Sequence, residues 1–257
     1  MMGEAMIAGA IANDVTDAGS ITVCDVSSGR RKVLTAHYKV KCSTDAAATL
    51  SGAELVILAV KPQEFEAAAE QIAANLKPEQ TVMSIMGGVR IETIARLLRH
   101  SDIIRAIPNT PATISEGMTV WTATDSVSRP ARDTVKVLFT VLGKEIYVES
   151  EKYVDMATAV SSSGPAYVFL MMEAMIDAAV HIGLRRDMAV PMVVQTLLGS
   201  ARYAQESGRH PAELRNQVTS PGGTTTEGLL ALEDAGLRAA FVHAIEEAYL
   251  KAQELGG

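Results

Sequence analysis

The chain has 257 residues, with 23 Lys and Arg against 30 Asp and Glu for a formal net charge of −7, 48% hydrophobic and 21% charged. These values are close to globular averages, so the sequence can bury a sizeable core and is not a disordered chain. The acidic balance, with no stretch gathering Lys and Arg onto one face, excludes nucleic acid as an expected partner, and no apolar run reaches the roughly 20 residues that span a bilayer.

In chain order, 3–12 read as an Ala/Gly-rich helix and Ser20 to Asp25 as a short β-branched strand. A Lys/Arg-bearing segment follows at 28–36, then a strand-like run from Tyr38 to Lys41. Leu55 to Val60 (LVILAV) is unbroken apolar sequence, typical of a parallel strand covered on both faces. Phe65 to Leu76 is helical, Thr81 to Ile85 strand-like, Ile91 to Leu98 helical and Ile103 to Ile107 strand-like. Strands from Met118 to Ala123 and from Lys144 to Val148 flank a helix at 131–141. This alternation predicts a doubly wound, Rossmann-type α/β domain over 1–150.

Beyond Lys152 the strand signals stop. Helical segments at 152–160, 165–182, 188–206, 226–234 and 238–255 are separated by breaks at Gly164-Pro165, Gly183, Pro191, Gly208 and Pro221-Gly222-Gly223, an all-α domain over 151–257. Val168 to Val180 is apolar nearly all round, which fits a homodimer interface and a monomeric bundle core equally well.

Two cysteines, Cys24 and Cys42, are too few for a disulfide framework and lack metal-ligand spacing; a reducing compartment, in the simplest case the cytoplasm, is expected. The opening MMGEAMIAGAIAND has no basic n-region and contains Glu4, unlike a signal peptide.

In an open α/β sheet, ligands lie beyond the carboxyl ends of the strands, so the turns there are the places to look. Lys61-Pro62 is a strand stop that also lets backbone face a flat ring, and Gly87-Gly88 allows either a tight turn or a close backbone approach. Pro108-Asn109-Thr110-Pro111 frames two polar side chains in a stiff loop, placed for a ligand or for an Asx-turn. The fullest signal is Val218 to Gly228 (VTSPGGTTTEG): three threonines after Pro-Gly-Gly at a helix start exceed what one cap needs and suit a carboxylate. Ser161-Ser162-Ser163-Gly164-Pro165 is a second helix-entry turn in the same half.

Together Ala59-Val60-Lys61-Pro62, Pro108-Asn109-Thr110-Pro111 with Glu116-Gly117, Ser163-Gly164-Pro165-Ala166-Tyr167 and Val218 to Thr225 resemble the pyrroline-5-carboxylate reductase family, in the family's order over nearly the whole chain. The resemblance implies a dinucleotide domain for NADPH or NADH and a helical domain forming an interlocked dimer, often built up into a decamer. By the same likeness Met2, Gly3, Ala59, Val60, Lys61, Pro62 and Gly87 line the cofactor and Asn109 sits near the nicotinamide. Ser220, Gly222, Gly223 and Thr224, with Ser163, take the substrate 1-pyrroline-5-carboxylate, and Thr225 hydrogen-bonds its ring nitrogen as the catalytic group. A C=N bond accepts hydride readily as the iminium cation, so such a site mainly positions its reactants. That agrees with five scattered histidines and no obvious His–Asp or Cys–His constellation.

A dinucleotide fold opens with a strand and a G-x-G-x-x-G turn. Met2-Gly3-Glu4-Ala5-Met6 resembles the end of that motif, with Gly3 its last glycine; the preceding strand and glycines, on the order of ten residues, have no counterpart, so strand edges should be exposed. A start placed too far downstream and a non-catalytic oligomeric remnant are the two explanations; the intact site loops favour the first. Asp25 suits the ribose 2′-hydroxyl of NAD, whereas Ser27, Ser28, Arg30 and Arg31 suit the 2′-phosphate of NADP, and the resemblance favours NADPH. A 3-hydroxyacid dehydrogenase would need a lysine on the first helix of the second domain, and the segment after Lys152 to residue 182 has none.

Overall fold

A computed structural model describes residues 2–256. Its β-branched and apolar runs form seven short strands: β1 (Thr22–Cys24), β2 (Lys41–Ser43), β3 (Leu55–Leu58), β4 (Thr81–Ser84), β5 (Ile103–Ile107), β6 (Gly117–Ala123) and β7 (Gly143–Tyr147). They make two sheets, β1-β2 and β3-β4-β5-β6-β7, parallel throughout except for antiparallel β5–β6. Helices α1 (Met2–Ala12), α2 (Ser28–Tyr38), α3 (Ala46–Leu50), α4 (Pro62–Ala73), α5 (Ile91–Leu98) and α6 (Arg129–Thr140) alternate with them, the Rossmann-type pattern expected. Among the described residues β1 pairs only with β2 and β3 only with β4. Each therefore keeps one edge without a strand among the described residues, and the side chains of Thr22, Cys24 and Ile57 are exposed.

Strand β2 begins later than its sequence suggests. Tyr38 closes α2, Lys39 caps that helix at φ +60°, and pairing starts only at Lys41. Similarly, Ala18–Ser20 is a 3-10 turn held by the Asp17 carboxylate, which leaves only Thr22–Cys24 to pair.

Strands β4 and β5 are buried along their whole length because both sheet faces are covered. Met83 and Ile104 point to one core, where Met6 and Ala10 of α1 meet Trp121, Leu138, Phe139 and Leu142. Val82 and Ile103 point to the other, against Phe65 and Ala69 of α4 and Ile94 and Leu98 of α5. Each of the larger aliphatic, Met and Phe side chains buried there contributes about 1.5–3 kcal/mol relative to its exposed state. Where β6 and β7 begin, Gly143 has φ +141° and faces Gly117, whose backbone a Cβ at Gly143 would strike.

The remaining chain is helical: α7 (Lys152–Ala157), a π-helical turn (Thr158–Ser162), α8 (Gly164–His181), α9 (Arg186–Ser207), α10 (Pro211–Gln217), α11 (Thr224–Asp234) and α12 (Leu237–Gly256). The helix read over 152–160 is thus two structures, since the register widens at Thr158. Pro191, read as a break, lies inside α9, where its missing N–H leaves the Asp187 carbonyl without its helical donor. The chain forms two compact units, one comprising the residues up to Pro165 with those from Glu247, the other Ala166–Glu246.

Candidate functional site

Parallel pairing puts the carboxyl ends of β3, β4 and β5 on one sheet edge, so Ala59–Pro62, Gly87-Gly88 and Asn109 share it. The first turn of α1 reaches the same edge: a Cβ on Gly3 would lie 3.2 Å from the Ala59 Cβ. Met2 turns its side chain into the core beside Met6. Lys61 and Pro62 are exposed at the start of α4, where Pro62 takes the first helical position, one whose N–H would be unpaired in any case. Of the two glycines after β4, Gly88 has φ +75° and a Cβ there would come 2.7 Å from the Leu255 Cβ, so its missing side chain makes room for the end of α12. Gly87 has ordinary space.

Ser27 caps α2 by accepting from the Arg30 N–H, while its own N–H donates to the Asp25 carboxylate at 2.7 Å. Arg31 Nη1 donates to the Asp25 carbonyl at 2.6 Å. Arg30 is engaged elsewhere: its Nη2 donates to Glu4 at 2.8 Å, and the Tyr38 hydroxyl donates to the same carboxylate. The Arg30 hydrogen bond holds the Glu4 carboxyl below its ordinary range and raises the guanidinium in turn; burial, then the Glu4 charge, raises the Tyr38 phenol. Of the groups suited to a 2′-phosphate, Ser27, Ser28 and Arg31 remain beyond the end of β1, with Arg31 tied by one N–H to the Asp25 carbonyl.

The residues present fit a dinucleotide. A helix N-terminus meets the sheet edge at the close Gly3–Ala59 approach, where a larger side chain would fill the space, and hydroxyl and guanidinium groups stand by the end of β1.

Asn109 is half-buried, and both ends of its amide are committed: Nδ2 donates to the Ser161 carbonyl and Oδ1 accepts from the Met118 N–H, each at 2.9 Å. This brings the Asn109 loop to the π-helical turn that leads into Ser163. Such turns occur often at functional sites.

In the second unit, Ser220 to Thr225 form the entry to α11. Gly222 has φ +68°, and the Ser220 carbonyl accepts from both the Gly223 N–H at 3.0 Å and the Thr226 hydroxyl at 2.8 Å. Thr226 is therefore the brace of the loop. Among the described residues the hydroxyls of Ser220, Thr224 and Thr225 have no hydrogen-bond partner, nor have the N–H groups of Gly222, Thr224 and Thr225. An unpaired donor set at the start of an eleven-residue helix suits an anionic group.

The sequence reading missed the buried Arg105. Its Nη1 and Nη2 meet Glu151 Oε1 and Asp155 Oδ1, each at 2.6 Å. A lone charge inside the apolar run IIRAI was the available signal, because a fully buried Arg must be paired. Among the described residues no group of three or more acidic, His or Cys side chains could hold a metal, and no helix is long and apolar enough to cross a membrane.

The fold and this edge define an NAD(P)H-dependent oxidoreductase, and residues 1–88 match the family described as NADP oxidoreductase coenzyme F420-dependent. Residues 151–255 match the Pyrroline-5-carboxylate reductase dimerisation family, so the chain forms oligomers. The Synechocystis pyrroline-5-carboxylate reductase is 39% identical over 256 residues, covering 100% of this chain and 95% of that one. The Escherichia coli enzyme is 36% identical over 255 residues, covering 99% and 94%. Among solved structures, the Coxiella burnetii enzyme superimposes with a TM-score of 0.91 at 34% identity, covering 100% of this chain and 95% of that one. The Plasmodium falciparum enzyme, crystallised with NADP bound, gives 0.90 at 27% identity, with the same coverage. The chain belongs to the pyrroline-5-carboxylate reductase family.

Proposed function

We propose that this chain reduces the C=N bond of 1-pyrroline-5-carboxylate to give L-proline, the last step of proline biosynthesis, preferring NADPH and tolerating NADH. Residues 1–150 serve as the dinucleotide domain, in which Met2, Gly3, Ser27, Ala59, Val60, Lys61, Pro62 and Gly87 form the cofactor edge and Asn109 stands near the nicotinamide, its amide engaged with protein backbone. Bound NAD(P)H supplies the hydride. Residues 151–257 serve as the substrate and dimerisation domain of a cytoplasmic homodimer, which assembles further into a decamer.

The observation that carries this reading is the unpaired donor set at the entry to α11. The N–H groups of Gly222, Thr224 and Thr225 and the Ser220 hydroxyl take the substrate carboxylate, with Ser163 as a further hydroxyl. Gly223 lets the loop close on Ser220, since a Cβ there would strike the Ser220 hydroxyl. The Thr225 hydroxyl holds the ring nitrogen and fixes the face of the imine. No strong acid is required, because the protonated imine is already the better hydride acceptor.

The test is NADPH oxidation by the purified chain with 1-pyrroline-5-carboxylate, with L-proline measured as product. Absence of turnover with both NADPH and NADH would sink the proposal. A particle mass in solution equal to one chain would remove the homodimer and the decamer.

A further inference from the structure

Asn109 lies beside the cofactor edge, yet each end of its amide already holds a backbone group: Nδ2 donates to the Ser161 carbonyl and Oδ1 accepts from the Met118 N–H. The carbonyl it holds belongs to the π-helical turn Thr158–Ser162, in which the Ser163 N–H reaches back to the Thr158 carbonyl at 2.9 Å. Inside this turn the Thr158 and Ser161 hydroxyls are spent on Val154 and Ala157 carbonyls.

Two further layers secure the same segment to β5. Ile107, Val120 and Val154 form a buried apolar plate, with Met118 and Ala157 packed against it. Below the plate, Arg105 reaches Asp155 and Glu151, and the Glu151 carboxylate also accepts from the Ile91 N–H at 2.7 Å. Arg105 in β5 and Asn109 in the loop just after it stand four residues apart and grip Asp155 and Ser161, six residues apart. The ion cluster thus anchors the root of the segment, and the amide sets its tip.

We infer that Asn109 is a positioning residue: it acts on substrate binding by setting, through the Ser161 carbonyl, where Ser163 stands. This rests on the proposed role of Ser163 toward 1-pyrroline-5-carboxylate. The amide suits the task because it is the donor and the acceptor at once, tying β6 and the π-helical turn to one side chain. A displacement of about 1 Å in such a group is enough to lower turnover efficiency up to a hundredfold.

The experiment uses the full chain with Asn109→Asp and Asn109→Ala. The Asp variant keeps an oxygen for the Met118 N–H and sets a second oxygen against the Ser161 carbonyl; the Ala variant removes both contacts. For each, KM and kcat for 1-pyrroline-5-carboxylate are measured beside the Kd of NADPH by calorimetry and the melting temperature. The expected result for Asn109→Asp is a KM for 1-pyrroline-5-carboxylate raised on the order of tenfold, with kcat within about twofold and the NADPH Kd unchanged. An unchanged substrate KM overturns the inference, as does a raised NADPH Kd, which would make Asn109 a cofactor contact. A fall in every parameter together with the melting temperature also overturns it, as a general structural loss. Wild-type chain without turnover sinks the reductase reading itself, whereas active wild type with an indifferent Asn109→Asp sinks this inference alone.

Discussion

Arg105 and Asp155 meet at 2.6 Å between a sheet strand and a helix, with the Arg105 side chain 1% exposed and its Nε without a hydrogen-bond partner. Two carboxylates share this one buried cation, so removing the cation leaves the Asp155 carboxylate, only 10% exposed, uncompensated.

Arg105→Met should therefore destabilise the chain by about 3–5 kcal/mol. Replacing Asp155 as well, in Arg105→Met/Asp155→Leu, should recover much of that loss, because Glu151 is the more exposed carboxylate and keeps the Ile91 N–H. Calorimetric melting of the three proteins checks this; equal melting temperatures for wild type and Arg105→Met would show that the cluster stabilises nothing.

Thr225 and Thr226 are neighbours with opposite assignments. Thr226 braces the Ser220 carbonyl, whereas the Thr225 hydroxyl has no partner among the described residues. Thr225→Val should lower kcat by roughly 10²-fold, within the range for losing an orienting hydroxyl, and leave the melting temperature alone. Thr226→Val should instead raise the KM for 1-pyrroline-5-carboxylate by loosening the loop. If Thr225→Val keeps full kcat, Thr225 has no part in the reaction.

The Glu4–Arg30 contact gives a pH prediction. Arg30 lowers the folded-state pKa of Glu4, so the unfolded chain takes up this proton first as the solution is acidified. The stabilisation is present in full above the unfolded carboxyl's value and is lost as pH falls through the lower, folded one. Glu4→Gln should thus melt slightly below wild type at neutral pH, by at most a few degrees, and the gap should close in acid below the ordinary carboxylate range. A gap that persists in acid would assign the effect to packing.

Gly143→Ala should be the most damaging small substitution in the sheet. At φ +141° a Cβ would strike the Gly117 backbone at the first β6–β7 pair, so the strands must part there. A loss above about 3 kcal/mol is expected, against about 1 kcal/mol for a freely relaxing turn glycine. Urea unfolding measures it, and a midpoint like wild type's would mean that the strands yield without penalty.

Much of this fold is legible in the chain itself, because its signals are local. LVILAV reads as a parallel strand covered on both faces; Leu55–Leu58 of it does pair in parallel, but Ile57 is exposed because one face stays open there. The strand-like IIRAI, by contrast, is buried along its length, and helix α5 has the bounds read for it. The position of β2 was not legible, because Lys39 adopts a left-handed cap that its side chain does not announce. The π-helical turn at Thr158–Ser162 escaped notice for a related reason: a widened helical register leaves hydrophobic spacing nearly unchanged over so short a span.

By itself the sequence determined the order of elements, the division between an α/β part and a helical part, and the loops rich in glycine, proline and hydroxyl groups. These follow from residue-by-residue preferences and periodicity, which act over a few positions. Only the tertiary structure decided that Arg105 is buried against Asp155 and Glu151, that Asn109 is occupied by Ser161 and Met118, and that Gly88 yields to Leu255. Each of those is a pairing between distant segments, and a hydrogen bond or a close approach depends on where the partner arrives, which no local preference encodes.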